Sequence, residues 1–196
     1  MPNYEALMEN LRKRGYEVSF FPTAREAAAY LDKEIDGASV GSGGSMTLKE
    51  MGLLELLGKH NTMVSHWNGD PITAAMTTQV YLSSVNGMAE TGEIVNIDGT
   101  CNRVASTLFG HERVYLIVGR NKIAADAAGA LFRTRNVAGP KNAQRLGKKT
   151  PCAAKGDRCY DCDSPERICS ALVTFWRRPK GIARMEIVLV DEDLGY

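Results

Sequence analysis

Short apolar runs rich in β-branched residues alternate along this chain with stretches of helical periodicity, and that alternation restricts the fold more than any other feature. Residues 16–21, 38–40, 62–66, 81–85, 93–98, 113–118 and 184–190 read as strands. Between them, residues 4–13 place Leu7, Met8 and Leu11 on one helical face, with Gly15 as a stop. Thr23 and Glu26 have capping-box spacing and open a helix that runs to about Lys33. Further helices are expected over 46–57, 72–80, 102–109 and 123–133. Runs such as 114–118 are apolar without alternation, as strands covered on both faces are. The pattern predicts a single α/β domain over 1–196: a mostly parallel sheet flanked by helices.

At 196 residues, 44% of them hydrophobic and 24% charged, the chain can bury a core without covalent staples. A formal net charge of +1 offers no whole-chain attraction to nucleic acid or an acidic membrane surface. The longest apolar runs are too short to span a bilayer, and residues 1–5 start no basic-then-apolar leader. The expected compartment is the cytoplasm, where thiols stay reduced.

Residues 136–183 break the alternation. They are rich in Gly, Pro, Lys, Arg and Cys and show little periodicity. Four of the five cysteines fall there, in a Cys-rich segment at about 140–183: Cys152, Cys159, Cys162 and Cys169, with Cys159 and Cys162 as a central CxxC. Four thiolates within so short a stretch suit a tetrahedral zinc ion or the corners of an iron–sulfur cluster. The spacing matches neither a paired-CxxC zinc ribbon nor a ferredoxin run, so both metals, and uncoordinated thiols, stay open. The lone Cys101 reads as a packed or surface thiol.

Two other constellations point to a ligand. Gly41-Ser42-Gly43-Gly44-Ser45 lies between an expected strand and helix, where glycines admit close approach and free amides favour an anion. Ser42, Ser45 and Thr47 add hydroxyls. The sequence is neither a Walker A loop nor a GxGxxG fingerprint, and a ligand-free tight turn is the competing reading. The second constellation, 96–103, ends a strand at Asp98 and starts a helix near Asn102. Ligands of open α/β sheets sit at such carboxyl ends. Asp98 reads either as an acid/base or as a helix cap, and Arg103 either as a bidentate anion holder or as a surface residue. Asn86, after Ser83-Ser84-Val85, ends a neighbouring strand towards the same crevice. The candidates are therefore Asp98 and Arg103 as catalytic groups, with Gly41, Ser42, Gly43, Gly44, Ser45, Thr47, Asn86 and Asn102 as ligand-binding groups. Of the three histidines only His66 falls near a crevice, and none forms a catalytic pattern.

Gly41–Thr47 with Gly52-Leu53-Leu54, then Asn96–Thr100 with Asn102–Ala105, resemble the motifs of LUD-domain proteins. Gly119, Asn121-Lys122-Ile123, Pro140, Asn142-Ala143, Arg145-Leu146, Thr150-Pro151-Cys152, Cys159, Asp161-Cys162, Ser164-Pro165, Arg167–Cys169 and Leu194-Gly195 extend the likeness. It covers the chain from about residue 35 and places it in a short, cysteine-containing branch. Cys101 departs from it, standing where a glycine is expected. The resemblance implies a fold like that of ribose-5-phosphate isomerase A, glucosamine-6-phosphate deaminase and the CoA transferases. It further implies a component of lactate-to-pyruvate oxidation that binds a small carboxylate or phosphorylated ligand, as a subunit or accessory protein beside iron–sulfur partner proteins, and a homo-oligomer. The isomerase's catalytic lysine has no counterpart at Asn96 or Asp98. The alternative function is a non-redox, sugar-phosphate isomerase-like enzyme or ligand-binding module with a structural zinc site.

Overall fold

In a computed structural model, which describes all 196 residues, the alternation becomes ten strands and eight α-helices. The strands are β1 (Glu17–Phe21), β2 (Ser39–Ser42), β3 (Thr62–Ser65), β4 (Val80–Ser84) and β5 (Gly87–Ala89). They continue as β6 (Ile94–Asp98), β7 (Arg113–Gly119), β8 (Ile123–Ala124), β9 (Ala171–Phe175) and β10 (Arg184–Val190). The helices are α1 (Tyr4–Lys13), α2 (Ala24–Glu34), α3 (Met46–Glu50) and α4 (Leu53–Leu57). After them come α5 (Asn102–Leu108), α6 (Ala127–Arg133), α7 (Gly139–Arg145) and α8 (Pro151–Lys155).

Six strands form one wholly parallel sheet in the order β1-β10-β7-β4-β2-β3. The fold is α/β, as the alternation predicts. Along β7, Val114, Leu116 and Val118 point into the layer shared with Leu7 and Leu11 of α1, while Tyr115 and Ile117 point into the layer of α2 to α4. All five are fully buried. Each such side chain contributes roughly 1.5–3 kcal/mol on burial, so the central strands fix the positions of whatever their carboxyl ends carry. The second sheet, β8-β5-β6-β9, is small and mixed. Its β5–β6 and β6–β9 pairings are antiparallel. No helix is long and apolar enough to cross a membrane.

Local chemistry accounts for most boundaries. Thr23 caps α2 by accepting from the Glu26 amide at 3.2 Å, as its spacing predicts. The helix expected over 46–57 is split at Gly52, whose φ of 60° ends α3 and starts α4. Residues 72–77 form a 3-10 turn instead of an α-helix, and Val80 already belongs to β4. The helix expected from Ile123 starts at Ala127, because Asp126 caps it by accepting from the Gly129 amide, and Ile123-Ala124 pairs as β8.

The segment 136–183 is more ordered than its composition suggests. Helix α6 passes through a π-helical stretch, Thr134–Ala138, straight into α7. Pro140 supplies no N–H and its ring would clash with a carbonyl four residues back, so widening to a Gly139-to-Thr134 bond lets the helix continue past it. Ala138, Pro140, Ala143 and Ala153 are buried, and β9 adds Phe175 to the main core. The longest stretch without helix or strand, Gly156 to Ser170, holds three of the four clustered cysteines.

Candidate functional site

Four central strands release the chain at one end of the main sheet, and a cleft of about 490 Å³ opens there. From β2 come Gly44, Ser45 and Thr47; from β4, Ser84, Val85 and Asn86; from β7, Lys122; and after β10, Tyr196. The opposite wall is built from the end of β6 (Asp98, Gly99), from Asn102 and Arg103 of α5, from Arg135 in the π-helical stretch, and from Cys152, Cys159, Cys162 and Cys169. The glycine loop, the 96–103 turn and all four clustered cysteines thus share one cleft, of a size suited to a small ligand.

Not every residue of the glycine loop reaches it. Gly41 and Ser42 are the last residues of β2, and Gly41 is a glycine because a Cβ there would meet Ala75 O and Thr78 Oγ1 at 2.5 Å. Gly43 packs towards the Tyr81 hydroxyl and Asn102, and His66 packs beside Gly44 outside the cleft. Ser45 caps α3 by accepting from the Leu48 amide at 3.4 Å. Gly41, Ser42 and Gly43 are therefore structural neighbours of the site, while Gly44, Ser45 and Thr47 line it.

The polar groups at β6 are tied together. Asn86 donates its amide N–H to Asn96 Oδ1 and accepts from the Ile97 amide and from Arg103 Nη2, at 2.9–3.0 Å. Asp98 accepts from the Val104 amide at 3.1 Å and stands 3.5 Å from Arg103 Nη2, so it caps α5 and pairs with Arg103 at once. Arg103 Nε is buried with no partner. Such a donor matches a bound oxygen. Cys101, at the start of α5, has a φ of 65°, the left-handed conformation that explains why a glycine is expected there.

Sequence reasoning passes over Lys122. It sits on the 3-10 turn that follows β7, only 3% exposed, and its Nζ lies 2.7 Å from Thr47 Oγ1 and 2.8 Å from Ser84 Oγ. Burial first, then the positive charges of Arg133 and Arg103, bring its pKa down to about 7. Arg133 clamps the same corner by donating to the carbonyls of Asn86, Asn121 and Tyr196, and burial lowers its pKa to about 10, so it stays charged at neutral pH. The signal for Lys122 was its place just beyond a fully buried central strand, where ligand groups gather.

Around the thiols, donors converge on sulfur. Arg167 Nε lies 3.1 Å from Cys169 Sγ, Arg135 Nη2 3.7 Å from Cys159 Sγ, and the Asp161 amide 3.4 Å from the same sulfur. Burial raises the Cys169 thiol pKa. This donor set suits an anionic metal–thiolate centre. No three His, Cys, Asp or Glu side chains stand grouped to hold a metal ion. Gly99 presses the segment onto the cleft: a Cβ there would meet Ile168 O at 2.9 Å.

The LUD domain profile matches residues 4–190. The chain belongs to the LUD-domain family. This family is associated with lactate utilisation. The LUD domain is also similar in structure to a DUF162-family protein from Deinococcus radiodurans, solved in a 1.70 Å crystal structure. The two superpose with a TM-score of 0.59 over 95% of each chain at 12% identity, a likeness of fold. No curated protein matches the chain significantly.

Proposed function

We propose that the cleft binds a small carboxylate of the 2-hydroxy or 2-oxo acid class, as a component of lactate-to-pyruvate oxidation, with the four cysteines holding an iron–sulfur cluster beside it. The observation that carries this reading is the charge of the cleft. Arg103, Arg135, Arg145, Lys148 and Arg167 line it against only Asp98 and Glu166, in a chain whose formal net charge is +1. A guanidinium binds a carboxylate bidentately, and a half-enclosed site strengthens the pairing relative to water. Arg103 is the strongest anchor because Asn86 and Asp98 hold it in place while Nε lacks an acceptor.

A cluster bound by Cys152, Cys159, Cys162 and Cys169 would supply one-electron redox chemistry. The chain's own residues have the remaining work: Arg103 orients the acid, Asp98 holds Arg103 and the start of α5, and the Arg135 and Arg167 contacts to sulfur offset thiolate charge.

Calorimetry with lactate, pyruvate, ribose 5-phosphate and inorganic phosphate tests the ligand class. We expect Arg103→Ala to weaken carboxylate binding by about 2 kcal/mol, some thirtyfold. Unchanged affinity would remove Arg103 from the site. Anaerobic purification with iron, sulfide and zinc analysis and a visible spectrum tests the centre. Broad absorption near 400 nm that bleaches on reduction is expected, whereas stoichiometric zinc without colour, together with sugar-phosphate binding, establishes the non-redox alternative.

A further inference from the structure

We propose that Lys122 is a carbonyl-trapping amine, whose Nζ adds to the carbonyl carbon of a small anionic ketone or aldehyde in the cleft and forms an imine. The hydrogen bonds around this nitrogen carry the argument. Thr47 Oγ1 donates its own hydrogen to the Leu194 carbonyl at 3.3 Å, and Ser84 Oγ donates to the Ile117 carbonyl at 2.6 Å. Each hydroxyl has one hydrogen, so towards Lys122 both act as acceptors. Together they take two N–H bonds from Nζ, and the structure offers no third acceptor and no carboxylate within ion-pair distance.

An ammonium has three hydrogens and a neutral amine has two. A buried ammonium here would leave one N–H unpaired, which disfavours the charged form. The neutral amine satisfies both partners and keeps its lone pair unengaged. Burial and the nearby charges of Arg133 and Arg103 act in the same direction, and the Glu50 carboxylate, beyond ion-pair distance, opposes them more weakly. The lysine is also held in place: its turn follows the central strand β7, and the Asn121 side chain beside it donates to the Gly195 carbonyl and accepts from the Leu194 amide. A fixed amine with an unengaged lone pair on the floor of a ligand-sized cleft is the arrangement that amine nucleophiles need. The cations on the cleft walls select carbonyl compounds that also bear a carboxylate or a phosphate.

The step balances without any redox partner. The nitrogen lone pair bonds to the carbonyl carbon while a proton passes from nitrogen to oxygen, giving a carbinolamine. The hydroxyl then leaves with the remaining nitrogen hydrogen as water while the nitrogen electron pair forms the C=N bond, and hydrolysis reverses the sequence. Either a 2-oxo acid or an open-chain sugar phosphate has this chemistry, so the inference does not depend on lactate being the ligand.

The test is reductive trapping. The wild-type chain is treated with borohydride in the presence of pyruvate or, separately, ribose 5-phosphate, and the modified lysine is located by peptide mass mapping. We expect one adduct per chain, on Lys122, with a yield rising about tenfold between pH 6 and pH 8 as the amine loses its proton. The arm that gives the adduct identifies the carbonyl source. Lys122→Gln should abolish it and Lys59→Gln, on the exposed surface, should preserve it. The wild-type map decides the matter even if Lys122→Gln fails to fold. Labelling scattered over surface lysines with Lys122 unmodified overturns the inference. Calorimetry without reductant separates the two proposals: pyruvate that binds but is never trapped removes the imine and leaves the carboxylate cleft standing. Neither binding nor trapping in any arm sinks both.

Discussion

The two walls of the cleft are made by opposite means. One is the carboxyl edge of the parallel sheet, where Thr47, Ser84 and Lys122 are almost wholly buried and bonded to one another. The other, from Asp157 to Ser170, has no helix or strand and no fully buried residue. It is held by the Arg135–Asp161 and Arg167–Asp161 ion pairs, the Lys149–Glu166 contact, Asn136 accepting from the Cys159 amide, and Ser170 bonding to the Asp98 carbonyl. Asp161 itself is 69% exposed, so its pairs are screened and individually weak. The contrast teaches that the sheet edge is organised by the core beneath it, whereas the cysteine wall is held by polar contacts at its surface.

Three substitutions sharpen that contrast. The largest effect belongs to Lys122→Met. In the unfolded chain the amine keeps its ordinary pKa of 10.5, so between about pH 7 and 10.5 the unfolded state holds a proton that the folded state lacks. The penalty on folding is full at and below pH 7 and fades as pH rises. Lys122→Met should therefore stabilise the fold by ~2 kcal/mol at pH 7 and by less at pH 10, read from urea denaturation at both values. A gain independent of pH would mean that folding does not lower the pKa of this amine. Next is Cys101→Gly at the start of α5, which relieves the left-handed backbone and should raise stability by about 0.5–1 kcal/mol. A lower Tm would show that the thiol's packing outweighs the strain. The smallest global effect is expected from Asp161→Asn, below ~0.5 kcal/mol. Limited proteolysis should nonetheless cut within 157–170 faster in that variant, and the difference should vanish once the thiols are metallated. Equal cleavage of both proteins would show that the ion pairs do not hold this wall.

Much of the sheet-edge wall was legible in the sequence, because core strands announce themselves by apolar runs and helices by caps. The residues 113–118 and 184–190 read as strands and are the neighbours β7 and β10, and the Thr23 cap is where its spacing places it. The breaks were harder to see. Gly52 sits in an otherwise helical pattern, and only its left-handed backbone reveals that α3 ends there. Strands β5 and β8 are three and two residues long, too short for periodicity to register. β9 buries only part of one face and follows a charged, cysteine-rich stretch that masks it. Gly139-Pro140 reads as a helix breaker, and the wider π-helical turn that absorbs it has no local sequence signal.

The turns that the sequence marked do meet at the cleft, but their separate parts in it were not legible. Asp98 and Arg103 do face the cleft, as do Thr47, Asn86 and Asn102, because each follows or approaches the end of a strand. That Gly41 serves the packing of β2 against residues 75–78 depends on a neighbour more than thirty residues away. Lys122 stayed hidden for the same reason: its acceptors, Thr47 and Ser84, come from two other strand ends, and only the folded chain brings the three together.

The bare backbone of Gly99 gives the cleft an adjustable gauge. Where that turn meets the carbonyl of Ile168 there is no side-chain thickness at all. A single methyl group at this seam acts as a shim, lifting the thiol-bearing strap away from the turn that carries Asp98. Because the strap enters β9 immediately afterwards, with Ala171 opposite Asp98, the lift pivots on that pairing and opens towards the sulfurs. One backbone position, Gly99, thus sets how far the thiols stand from the turn that carries Asp98.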